Sequence, residues 1–283
     1  MNQKKRKFYK IIKITTIVLL LIMVILSFAG CSKESKIEKL IKDLKSEDAQ
    51  VQDKAAEELA KIGEPALSAL IKVLKDKEEE SVYMYAERAL DKIGEPALEG
   101  LLKVLTDENL NVRLVSSRIL SETDDVIIIE PLIEALKDEE SNVRMYAERG
   151  LKNLGHSSIE ALINALRNEN ENVRIASSRI LSETDDVRII EPLIEALKDE
   201  NEKVHMYAQR GLFNIGESAI DPLIATLTDE NVNIRLSAIQ ILSVIKDSRI
   251  IEPLKLALKD EDSNVRMYAE RGLKNMGVAI TKP

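Results

Sequence analysis

The chain has 283 residues, 41 Lys and Arg against 49 Asp and Glu, a formal net charge of −8, 32% charged residues and only 3% aromatics with no Trp. Any core must therefore be aliphatic and thin, which argues against a β-sandwich or an α/β enzyme and for repeated amphipathic helices rich in Leu, Ile, Ala, Glu, Lys and Arg. An acidic balance without stacking Trp leaves nucleic acid a poor partner.

Residues 1–30 stand apart. Lys4, Lys5, Arg6, Lys7, Lys10 and Lys13 form a basic head, and no charge follows from Ile14 to Gly30. That is the layout of a secretory signal, and the uncharged run is short for a permanent span. Without the six basic residues, 35 cations face 49 acids, so the remainder carries −14. Cys31 follows Phe28-Ala29-Gly30 and is the only cysteine, which excludes an intrachain disulfide. The site resembles a bacterial or archaeal lipoprotein processing site. That resemblance implies lipid on Cys31, a tether over residues 31–36, a domain over 37–280, and a place on the extracytoplasmic face of the cell membrane. The alternative is an uncleaved N-terminal anchor with an incidental cysteine.

Internal repetition dominates the rest. ESVYMYAERALDKIG, SNVRMYAERGLKNLG, EKVHMYAQRGLFNIG and SNVRMYAERGLKNMG place Tyr83, Arg144, His205 and Arg266 in register, 61 residues apart. A second series puts Gln52, Arg113, Arg174 and Arg235 in register at the same interval, so eight units alternate between 30 and 31 residues. Each reads as two helices. The first carries Leu132, Ile133 and Leu136 on one face with Pro131 near its start, and Asp124-Asp125 or Asp185-Asp186 stand where they can cap it. The second runs from Val143 to about Leu154, with Val143, Ala147, Gly150, Leu151 and Leu154 at helical spacing. Gly63, Gly94, Gly155, Gly216 and Gly277 are placed to end second helices in a left-handed conformation. Such hairpins must stack to bury their apolar faces. The class is all-α, an α-solenoid of eight helical hairpins. Asp53 and Glu57 make unit 1 read as a polar cap, and no matching cap follows Gly277.

The pattern P-L-I-x-A-L-x-D-x-x-x-x-V-R-x-x-A, Pro131 through Ala147, resembles the short HEAT-like repeat first described in phycobilisome lyases. The resemblance implies that the Arg after the Val bonds an Asp in the interhelical loop and ties units together. Asp107, Asp138, Asp199, Asp229 and Asp260 with Arg113, Arg144, Arg174, Arg235 and Arg266 match that ladder; Gln52, Tyr83 and His205 depart from it. It also implies that second helices line a concave, partner-binding face. Positions two, three, six and ten after the Val share one strip away from the core. The strip shows Met84, Tyr85, Arg88, Met145, Tyr146, Arg149, Met206, Tyr207, Arg210, Met267, Tyr268 and Arg271, with Arg118 and Arg179 from alternate units.

Met, Tyr and Arg in one strip match the composition of a protein interface, and six arginines favour an acidic protein or peptide. The competing structural reading packs each tyrosine over the glycine four residues on, at Gly150, Gly211 or Gly272. An interaction scaffold without catalysis, cofactor or metal is the leading function. A bilin lyase or other enzyme is weaker, because Cys31 belongs to the export signal and His156 and His205 have no metal-ligand spacing. The third reading is an envelope spacer.

Overall fold

The computed structural model describes residues 33–76 and 80–279. The basic head, the uncharged run and Cys31 lie outside them. A helix at 33–44, α1, starts inside the stretch assigned to the tether. Fifteen further α-helices follow, and among the described residues there is no strand. None of these helices is long and apolar enough to cross a membrane.

The chain divides into two compact units, Met1–Val115 and Ser116–Pro283. The first holds α2 (Ala49–Ile62), α3 (Leu67–Lys75), α4 (Glu80–Ile93), α5 (Leu98–Lys103) and the start of α6 (Leu110–Leu120). In it α4 packs on both α2 and α3. The second holds the end of α6, then α7 (Ile129–Ala135), α8 (Ser141–Asn153), α9 (Ile159–Ala165), α10 (Glu171–Leu181), α11 (Ile190–Ala196), α12 (Glu202–Ile215), α13 (Ile220–Ala225), α14 (Val232–Leu242), α15 (Ile251–Ala257) and α16 (Ser263–Asn275). Within it, hairpin partners pair as α7 with α8, α9 with α10, α11 with α12 and α15 with α16. Second helices pack on second helices as α10 on α12 and α14 on α16. That is the stacking the apolar faces require.

Local chemistry sets each boundary. First helices open through a tight 3-10 turn, and there the Asp125, Asp186 and Asp247 carboxylates accept from the Ile127, Arg188 and Arg249 N–H groups at 3.0, 3.0 and 2.8 Å. Pro131 follows as the third residue of α7, where its missing N–H would have no intrahelical partner. Second helices are capped by Asn170, Asn201, Asn231 and Asp262, each accepting from the N–H two residues on. Val143, Ala147 and Leu151 are fully buried, as are Leu132 and Leu136 against them.

The helix-ending glycines all have positive φ, from 53° to 76°. At Gly63, Gly94 and Gly216 ψ is −144°, −137° and −122°, so these three lie outside the left-handed helical well, in a region almost exclusive to glycine. Nothing lies within 4 Å of a Cβ built on Gly216, so backbone conformation alone demands glycine there. The Asp53 and Glu57 side chains of unit 1 turn towards the next unit, where they pair with Arg88 and Lys92.

Candidate interaction face

On each of α4, α8, α12 and α16 the strip is built at helical positions i, i+4 and i+7: Met84, Arg88 and Asp91; Met145, Arg149 and Lys152; Met206, Arg210 and Phe213; Met267, Arg271 and Lys274. Met84, Met145, Met206 and Met267 are 53%, 51%, 49% and 53% exposed. Tyr85, Tyr146, Tyr207 and Tyr268 beside them are half-buried.

The arginines do not form an open cationic column. Arg88 pairs with Asp53, Arg149 with Glu122 at 2.7 Å, and Arg179 with Glu148. Arg179 also lies 5.8 Å from the centroid of the Tyr207 ring, a cation–π distance. Burial lifts the Glu148 carboxyl above its usual range, with Arg179 offsetting only part of the shift. Arg118 is half-buried. Arg210 and Arg271 are exposed and make no ion pair among the described residues.

The glycines of α8, α12 and α16 lie in close contact with the preceding helices. A Cβ on Gly150 would lie 2.5 Å from Leu132 Cδ1 and 3.1 Å from Ser121 Cα; Gly211 meets Leu193 and Ser182 at the same distances, and Gly272 meets Leu254 and Ser243 at 2.8 and 3.0 Å. The missing side chain lets one second helix press against the end of the preceding one. Three residues on, the Asn153, Asn214 and Asn275 side chains donate to the Ser121, Ser182 and Ser243 carbonyls at 3.0, 3.0 and 3.1 Å. The sequence pattern puts Gly150 on the buried face of its helix but does not show this Gly-x-x-Asn clamp, whose partner lies on another helix.

The loops are held by the residue after the Val. Arg113, Arg144, Arg174, Arg235 and Arg266 each donate to two carbonyls of their own interhelical loop, Arg144 to Asp138 and Glu139 for example, at 2.6 and 2.9 Å. Arg174 and Arg235 also reach the next unit with paired bonds to Asp199 and Asp260, the shorter at 2.7 and 2.9 Å. The Asp138 carboxylate accepts from the Glu140 N–H of its own loop. Burial pushes the Asp260 carboxyl up, but Arg235 and the Asp262 N–H outweigh it and hold it below the usual carboxylate range. Gln52 stands in place of the arginine, and its side-chain amide donates to the Leu44 carbonyl at 3.0 Å. Half-buried Tyr83 interacts with its surroundings. His205 instead shares a 2.8 Å bond with Ser237 of the next unit.

His156 sits in the turn Gly155–Ser158 beside a groove of about 310 Å³ that Glu183 and Asp185 also line. Among the described residues no group of three His, Cys, Asp or Glu side chains is placed to hold a metal ion.

The model for HEAT repeats matches residues 37–121, 129–212 and 190–274. The chain belongs to the HEAT-repeat family. Among solved structures, this HEAT-repeat protein is similar to YibA of Escherichia coli (23% identity, 80% of this chain and 87% of that one, TM-score 0.39). It is also similar to human deoxyhypusine hydroxylase (18%, 89% and 99%, TM-score 0.36) and to Kap95p, solved with RanGDP (14%, 85% and 40%, TM-score 0.48). Curated proteins give no match.

Proposed function

We propose that this HEAT-repeat chain is a membrane-tethered, extracytoplasmic scaffold that binds a polypeptide partner through its second-helix face, the concave face in repeats of this kind. The observation that carries the reading is the half-exposed methionine at one helical position of successive second helices, Met145, Met206 and Met267 in the second compact unit, each flanked by a half-buried tyrosine. Methionine is flexible and polarizable, suited to binding surfaces that must adapt, and Tyr and Arg beside it match the composition of interface centres. The tether rests on the basic head, the uncharged run and Cys31.

Position-specific photocrosslinking in cells tests the binding half. A photoreactive side chain at Met145 or Met206 should capture partner protein, and one at Val126 or Val187, which are 57% and 58% exposed on first-helix turns, should not. Equal capture from both sets, or none from the methionine positions, contradicts the assignment. Metabolic labelling with a fatty acid tests the tether: label lost on Cys31→Ser supports it, and an unlabelled parent protein refutes it.

A further inference from the structure

Chain positions 61 residues apart are equivalent in the repeat, and on the second-helix face some equivalent positions differ in chemistry. On α8 and the end of α10, Lys152 and Glu183 form an ion pair. Their counterparts on α12 and after α14 are Phe213 and Val244, which are 52% and 48% exposed. Phe213 continues the row Met206, Arg210, Phe213 along α12. The neighbouring pair Glu148–Arg179 has as its counterpart Gln209, which donates to Gln240 at 2.6 Å. Glu122, the partner of Arg149, also corresponds to Val244, so the acid that pairs with Arg149 has no counterpart for Arg271. The turn Ser182-Glu183-Thr184-Asp185-Asp186 corresponds to Ser243-Val244-Ile245-Lys246-Asp247, so two acids give way to Val and Lys. Among the described residues Arg210, Lys246 and Arg271 make no ion pair, and all three are exposed.

We infer that the face formed by α12, the end of α14 and α16, centred on Phe213 and Val244, is a docking site for an acidic polypeptide segment that inserts an apolar side chain between carboxylates. The inference deepens the scaffold reading and rests on it. Phe213 and Val244 leave about half of their apolar surface in water where the equivalent positions hold an ion pair, and a partner's apolar anchor would desolvate that remainder. Three unpaired cations around that centre supply charge complementarity and long-range steering to a negatively charged segment. A second copy would bring the same cations against each other. An anionic lipid surface would meet a body in which 49 acids face 35 bases beyond residue 30.

The test selects peptides from a random display library on the full-length protein. Selected sequences should carry Asp or Glu flanking Leu, Ile or Phe. Their affinity should fall at least about tenfold with Phe213→Lys and Val244→Glu together, a pair that rebuilds the ion pair already folded at Lys152 and Glu183. Arg210→Glu with Arg271→Glu should weaken them further at low salt than at high salt. Lys152→Phe with Glu183→Val should create a second, weaker site. Peptides without carboxylates, or binding unchanged in the Phe213→Lys, Val244→Glu protein, overturn the inference. So does Phe213-dependent binding of phosphatidylglycerol vesicles in place of peptides. If crosslinks from Met145 and Met206 persist while this pair has no effect, only the inference fails; if those crosslinks are absent, the scaffold reading itself fails.

Discussion

The stretch from α8 to α10 and its counterpart from α12 to α14 differ in a selective way. Packing positions are copied: Gly150 and Gly211 press on Ser121 and Ser182, Asn153 and Asn214 donate to the same serines, and Arg174 and Arg235 reach Asp199 and Asp260 alike. The side-chain pairs beside them differ, with the half-buried Glu148–Arg179 against Gln209–Gln240 and Lys152–Glu183 against the exposed Phe213 and Val244. Duplication alone would reproduce packing and surface equally. Buried positions differ as well, Ser158, Ser177 and Ser178 against Ala219, Ala238 and Ile239, as does half-buried Arg144 against His205. The Gly–Ser contact, the Asn bond and the Arg–Asp pair are nevertheless kept where the side-chain pairs beside them are not, which separates contacts the fold needs from positions available for recognition.

The first way to break this comparison is to disturb a copied position. Gly211→Val should cost about 3 kcal/mol of stability, because even a Cβ would fall 2.5 Å from Leu193 Cδ1 and 3.1 Å from the Ser182 backbone. Denaturant titration checks this, and a loss below about 1 kcal/mol would show that α12 can move away from α10 freely.

Arg235→Ala comes next, at about 2–3 kcal/mol, since side chains only 7% and 9% exposed leave Asp260 without its cation. Because the folded state holds Asp260 in its charged form, the ion pair's contribution is complete above about pH 4 and is lost as pH falls through the lowered value. The parent should therefore lose stability on the acid side more steeply than Arg235→Ala, as measured by unfolding midpoints from pH 6 to pH 2. Parallel curves would deny the pair its role.

The smallest effect sharpens the comparison from the other side. Glu148→Gln with Arg179→Gln copies the Gln209–Gln240 arrangement and should change stability by less than about 1 kcal/mol, because a half-buried ion pair gives back in desolvation much of what it gains. Glu148→Gln alone should be worse than the double change. Additive single effects in a double-mutant cycle would contradict the pairing.

The periodicity of Val, Ala and Leu made the hairpins, their buried faces and the ending glycines legible in the chain itself, since burial and helical spacing are local properties. The exposure of Met84, Met145, Met206 and Met267 was legible for the same reason. Two features were not. Gly150 and Asn153 act across a helix–helix contact whose partner, Ser121, lies 29 and 32 residues back, and no single-helix pattern shows that. The pairing of Arg88, Arg149 and Arg179 hides in the same way, because a column of like charges looks open until the acids of the adjacent helix are placed beside it. Phe213 stands nine residues past Val204, between the strip positions six and ten. Aligning LKNLG with LFNIG, and SETDD with SVIKD, is the signal that would have found it.

The most direct test of the claim that the exposed pairs serve recognition and the copied positions serve the fold is to measure thermal unfolding and peptide affinity on one sample of the Phe213→Lys, Val244→Glu protein. The account predicts a midpoint within about 2 °C of the parent together with loss of binding. A midpoint lowered by about 5 °C or more with affinity intact would place Phe213 and Val244 among the residues that hold the repeats together.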